Sequence, residues 1–124
     1  MLANANVAAT VAVKNLTEGQ KFYEGVLGFK AAGPGEGAVL YDSGSSKLLV
    51  YESAYAGTNQ ATAATWTVGA ELENVVRGLK SKGVAFEHYD DFPNLTREGD
   101  IHTVGEMRVA WFKDPDGNIL ALTS

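Results

Sequence analysis

The sequence contains no cysteine. Disulfides, thiolate nucleophiles and zinc–sulfur centres are therefore excluded. Histidine is nearly as scarce, with His88 and His102 the only two. Basic residues are in the minority: 10 Lys and Arg against 15 Asp and Glu give a formal charge of −5. A nucleic-acid partner is not expected, because phosphate recognition needs a basic face. The acidic balance mildly favours a cationic ligand, although such a charge also serves solubility. No apolar run approaches the length of a membrane span. The opening "MLANANVAATVAV" lacks a basic n-region and a sustained apolar stretch, so no secretion signal is expected and the expected location is cytoplasmic. In that setting the "NLT" sequons at Asn15 and Asn94 read as chance matches.

What is present suits one soluble domain with a real core: 124 residues, 45% hydrophobic and 20% charged. Two amphipathic helices stand out. The first follows Thr17, which has capping-box spacing to Gln20, and gathers Phe22, Tyr23, Val26 and Leu27 on one face before Gly28. The second runs from about Glu71 to Lys82, with Leu72, Val75, Val76 and Leu79 at helical spacing and Gly83 as its stop. Glu71 and Glu73 at its start and Lys80 and Lys82 at its end suit the helix dipole.

The surroundings of these helices repeat. "TVAV" from Thr10 and "TWTV" from Thr65 lie 55 residues apart, as do the stop glycines Gly28 and Gly83. After each stop comes an extended stretch, then two strands joined by a turn. These are "AVLYD" and "KLLVYE" around "SGSS", and "RVAWFKD" and "NILAL" around "PDG". Each half reads β-α-β-β-β, module 1 over about 5–53 and module 2 over about 62–124, in a single domain 1–124. "SAYAGTNQATA" reads as a small, polar linker. "GPGEG" from Gly33 reads as a hairpin and lacks the spacing of a phosphate cradle. Asp90 to Gly105 is the longest irregular segment, functional or mobile. Asp114, Asp116 and Asn118 open like a calcium loop, but the distal Glu is absent and Pro115 and Gly117 suit a turn.

"VAVKNLTEGQKFYEGVLGF" resembles the first strand and first helix of the vicinal oxygen chelate superfamily, and "WFKDPDGNILAL" resembles its closing hairpin. This group includes glyoxalase I, bleomycin-resistance proteins, fosfomycin-resistance enzymes and extradiol dioxygenases. The resemblance covers almost the whole chain. It implies an α+β fold in which tandem β-α-β-β-β modules form a curved mixed sheet around a cavity. The enzymes of the group hold a divalent metal through His, Glu or Gln on inward strand faces. Carried over, those positions fall on Ala8, Ala63, Ala121 and either Leu49 or Val50. None can ligate a cation, so no metal or other cofactor is expected.

With Ala8, Ala63 and Ala121 inward, strand alternation turns Thr10, Ala12, Thr65 and Thr67 inward too. It sends Val7, Val11, Val13 and Trp66 to the core. In the last hairpin Val109, Trp111 and Lys113 face the cavity, and Ala110 and Phe112 face the core. Trp111 reads equally as a core tryptophan or as a stacking platform. The candidate ligand contacts are Thr10, Tyr51, Thr65, Phe92, His102 and Trp111, with the Asp90–Gly105 loop closing over the ligand. For His88 and His102 a solvated surface position is the ordinary expectation, with a weak metal site or a general base as the sharper one. Asp90 and Asp91 read as turn residues. Three functions follow. The first is a metal-free protein that binds, and so sequesters, an aromatic or cationic small molecule between the protomers of a homodimer. The second is a metal-independent enzyme of the lyase or isomerase class using a loop residue such as His102. The third is a structural or regulatory module.

Overall fold

In a computed structural model, two mixed sheets and two helical segments follow one another along the chain. The structure describes the backbone of residues 1–124 and the side-chain surroundings of all but 33–35. β1 (Ala9–Val13) leads into α1 (Leu16–Gln20), which continues as a π-helical turn over Lys21–Val26. β2 (Lys30–Gly35), β3 (Ala38–Ser43) and β4 (Ser46–Glu52) complete a sheet of order β1-β4-β3-β2. β5 (Thr62–Thr67), a 3-10 turn at Gly69–Glu71 and α2 (Leu72–Ser81) begin the second half. β6 (Phe86–Glu87), β7 (Thr96–Glu98), β8 (Ile101–Val104), β9 (Met107–Lys113) and β10 (Ile119–Thr123) follow. The second sheet has the order β5-β10-β9-β8-β7, with β6 also on β9. In each sheet the opening strand pairs in parallel with the last, β1 with β4 and β5 with β10. The "GPGEG" hairpin turns at Glu36–Gly37; its 33–35 side chains lie outside the described residues.

The first helix starts earlier than its Thr17 spacing suggests. Asn15, with extended backbone, is the cap, and its Oδ1 accepts the Glu18 N–H at 3.0 Å. Gly28 (φ +82°) and Gly83 (φ +93°) end the two helical segments in the left-handed region. α2 spans Leu72–Ser81, within the expected range, and buries Leu72 and Val76. Among the described residues no helix is long and apolar enough to cross a membrane.

One apolar cluster joins the halves. Val11, Val13, Tyr23, Tyr41, Leu48 and Val50 meet Leu72, Val76, Phe86, Ala110, Phe112, Leu120 and Leu122. Trp66 packs against it and donates from Nε1 to Ser43 Oγ at 3.0 Å, so a β5 side chain reaches the β3–β4 turn. Val7 does not join the core; it precedes β1 and is exposed. The connection after β4 is more than a spacer. Ala56 is buried, and the left-handed Gly57 lies so close to the closing turn that a Cβ would stand 1.8 Å from the Asp116 carbonyl oxygen.

The closing turn is built around Asp114. Its carboxylate accepts the Tyr23 hydroxyl at 2.8 Å and Asn118 Nδ2 at 2.7 Å on Oδ2. Oδ1 accepts the backbone N–H groups of Asp116 and Asn118 at 3.0 and 2.9 Å. Asn118 Nδ2 also donates to the Ala12 carbonyl at 2.7 Å. This buried carboxylate is committed to protein donors, as a structural turn requires and a calcium loop does not. Burial, then the Asp114 charge, pushes the Tyr23 hydroxyl far above its ordinary range, so it stays a donor.

The long segment after Glu87 departs from expectation. It contains the β7–β8 hairpin, so only its first part is irregular. His102 therefore lies on a strand, not in a loop, and is fully buried instead of solvated.

Candidate functional site

β9 alternates as its sequence requires. Ala110 and Phe112 enter the core, and Val109, Trp111 and Lys113 take the other face. Trp111 stands directly across the ladder from Ala121. The alanine offers only a methyl group, so the indole can lie over β10. Its Nε1 donates to Thr62 Oγ1 on β5 at 3.2 Å. Ala121 is 2% exposed although it faces away from the core cluster, which fits a residue roofed by the indole.

Tyr89 packs edge-on against Trp111 with centroids 5.2 Å apart, and His102 does so at 4.9 Å. Phe92 meets Tyr89 edge-on at 6.0 Å. Trp111, Tyr89, Phe92, Leu95, Val104 and Thr62 are among the walls of a cavity of about 480 Å³, and none of its lining residues is charged. Burial, then the Glu87 charge, raises the Tyr89 hydroxyl above its ordinary range, so this wall also stays neutral.

The charged side chains of this half of the chain fall in pairs outside the cavity lining. Asp90 accepts from Arg97 Nε and Nη2 at 2.8 and 2.9 Å, and Arg97 also donates to the Gly99 carbonyl. Asp100 meets Lys80 at 2.7 Å and His88 Nε2 at 2.8 Å. The hydrogen bond from Lys80, then that from His88, lowers the Asp100 carboxyl below its ordinary range; the Arg97 hydrogen bond does the same for Asp90. Glu87 pairs with Lys113 at 3.2 Å.

The candidate residues from sequence thus separate. Phe92 and Trp111 line the cavity, and His102 lies behind Trp111 outside the lining. Thr10, Tyr51 and Thr65 lie on non-core sheet faces and do not line it. Val50 is fully buried in the core while Leu49 is only half-buried, so the uncertain fourth position is Leu49. Tyr89 escaped the sequence reading. Strand alternation through "FEHY" does carry a signal, because Glu87 pairs with Trp111 and Tyr89 shares its parity.

Each half opens on a strand and a helix and closes on a strand parallel to the first; the first half is β-α-β-β-β, and the second carries two further short strands. The chain belongs to the Glyoxalase/Bleomycin resistance protein/Dioxygenase superfamily, whose family description matches residues 6–122. No curated protein matches the sequence. Among solved structures, an integron cassette protein from the mobile metagenome of a Halifax Harbour sewage outfall is 23% identical, with a TM-score of 0.71 and 98% of both chains covered. The genomically encoded fosfomycin resistance protein FosX from Listeria monocytogenes is 14% identical, with a TM-score of 0.71 over 97% of this chain and 92% of its own. A glyoxalase family protein from Enterococcus faecalis is 19% identical, with a TM-score of 0.71 over 100% of both chains. At these identities the likeness concerns the fold.

The superfamily's metal enzymes set a clear test. Ala8, Leu49, Ala63 and Ala121 occupy the corresponding positions and supply no donor atom. Among the described residues no three His, Asp or Glu side chains gather as a metal site. The residues do not fit a divalent ion, and the indole of Trp111 crosses the strand that carries Ala121.

Proposed function

We propose that the chain binds a small planar aromatic molecule against Trp111, without a metal ion. The observation that carries this is the uncharged aromatic cavity itself, walled by Trp111, Tyr89 and Phe92. Rings of this kind give a planar guest large contact area and favour edge-on or offset stacking. The carboxylates of Asp90, next to Tyr89 in the chain, and of Glu87, whose charge acts on Tyr89, are already paired, which favours an uncharged guest over the cationic alternative. A role in sequestering such a compound inside the cell accords with this chemistry.

The enzymatic alternative finds less support. His102 is absent from the lining, and its Nε2 is occupied by a backbone N–H. A second copy of the chain is the partner that the half-open sheet faces call for, with Thr10, Tyr51 and Thr65 toward it. Titration of a panel of planar aromatics against a Trp66→Phe variant, with Trp111 emission as readout, tests the binding reading. Saturable quenching by a neutral aromatic supports it. No response from any neutral ring, alongside saturation by a metal-chelating or anionic compound, overturns it. Native mass spectrometry of the same sample reports whether the mass is that of two chains.

A further inference from the structure

His102 is buried on β8, yet among the described residues the one hydrogen bond of its side chain reaches an unpaired segment outside the ladder. The Tyr89 backbone N–H donates to Nε2 at 2.9 Å. A backbone amide can only donate, so Nε2 must present its lone pair and the proton of the neutral ring must sit on Nδ1. Among the described residues Nδ1 has no hydrogen-bond partner. The Val109 carbonyl, across the ladder from His102, attracts that proton without reaching hydrogen-bond geometry. Tyr89 thus sets the tautomer, and the Val109 carbonyl favours the same one.

Tyr89 begins the segment that supplies Tyr89, Phe92 and Leu95 to the cavity. No strand holds that segment: β6 ends at Glu87 and β7 begins at Thr96. Its fastenings are the Tyr89–His102 hydrogen bond, the Asp90–Arg97 pair and ring contacts with Trp111. We propose that His102 is a positioning residue that fastens the Tyr89–Leu95 segment over Trp111, and that taking up a proton makes it let go. A second proton would sit on Nε2 and face the Tyr89 N–H, donor against donor, at a separation that suits only a donor and an acceptor.

The groups facing His102 oppose and support that proton in turn. Burial is the largest effect and lowers its pKa below the ordinary 6.5. Arg97, its register partner on β7, and His88 lower it further, and Asp90 and the Val109 carbonyl raise it. Arg97 and Asp90 are bound to each other, so their influences offset. Trp111 and the Tyr89 ring pack on the imidazole and bring no charge at neutral pH. Release is therefore an acid event, below the usual imidazole range. The inference stands apart from the identity of any guest, because the clamp exists without one.

The test uses the intact chain without ligand. Nitrogen-15 spectra of the histidine rings should show His102 as the Nδ1–H tautomer at neutral pH, titrating below 6.5. The Tyr89 amide should lose hydrogen-exchange protection as pH falls from 6.5 toward that midpoint, by up to about tenfold per pH unit, and level off below it. Trp111 emission in a Trp66→Phe background should move in step. His102→Gln keeps an acceptor for the amide but cannot titrate, so protection should become flat with pH. An Nε2–H tautomer overturns the proposal. So does Tyr89 protection that ignores pH in the natural sequence, or a transition that survives in His102→Gln. If that variant misfolds, the tautomer and the exchange profile of the natural sequence still decide.

Discussion

Tyr23 and Asp114 lie 91 residues apart in the chain, and the hydroxyl of one meets the carboxylate of the other at 2.8 Å inside the core. One belongs to the first helical segment and the other to the closing hairpin. The two sequence stretches that carry the family resemblance are therefore in contact. Tyr23→Phe removes one donor from a buried carboxylate and little volume. The expected loss is about 1–3 kcal/mol of folding stability, measured by urea unfolding with an unchanged m-value. A loss near zero would mean that water replaces the hydroxyl.

Trp111→Ala should weaken binding of a planar aromatic by roughly ten- to a hundredfold, the equivalent of about 1.4–2.8 kcal/mol. It should cost the fold less than Phe112→Ala, its core-facing neighbour, for which about 3–5 kcal/mol is expected. Paired titration and unfolding of the two variants check this. The reverse order would make Trp111 the structural residue.

Gly57→Ala places a methyl group against the Asp116 carbonyl and forces a left-handed backbone on alanine. The expected destabilisation exceeds about 1 kcal/mol. Gly44→Ala, left-handed but with open space around it, is the control. Unfolding midpoints should separate the two.

Elemental analysis after dialysis should find no stoichiometric divalent metal, because no donors stand at Ala8, Leu49, Ala63 or Ala121. Ala121→Glu should not create a site. It should instead push the indole off β10, seen as altered Trp111 emission and loss of stability. Near one equivalent of zinc, iron, nickel or manganese in the unaltered protein would refute this reading.

Stability should depend on pH in two windows. His102 has a lowered pKa in the folded chain, so the unfolded chain binds the proton more readily. Its contribution is complete above 6.5 and is lost as pH falls toward its folded value. Asp100, also lowered, contributes above 3.8 and loses that contribution as pH falls through its folded value. Urea unfolding at a series of pH values should show the upper window vanish in His102→Gln and the lower one persist.

Much of this architecture was legible because both modules advertise periodicity. Helix spacing in α2, alternation in β9 and β10 and the 55-residue recurrence each state a local rule that the fold obeys. The face of Trp111 followed from alternation together with the register that the family resemblance implies, against a core position weighed equally. His102 did not, since "DIHTV" alternates too weakly to distinguish a short buried strand from a loop. Its burial depends on β9 across the ladder and on Tyr89 arriving from an unpaired segment. Nor could the cap be settled by pattern: Asn15 and Thr17 both offer capping side chains, and only the extended backbone at Asn15 decides between them. Phe92 was legible as an aromatic near the site, but its contact with Tyr89 belongs to a loop path that no periodicity encodes.

β9 shares one edge between two short strands, with β6 on Trp111 and Phe112 and β8 on Met107 to Val109. The chain between Glu87 and Ile101 is thus an excursion that leaves β9 and returns to the same edge of it. The sheet prescribes the two anchor points and not the distance travelled between them. A different excursion, longer or shorter, would leave the pairings of β9 unaltered and cost only the edge strand β7. On the proposed binding reading, the wall facing Trp111 is in that sense an exchangeable cassette, and rewriting it would change the guest while the floor stays as it is.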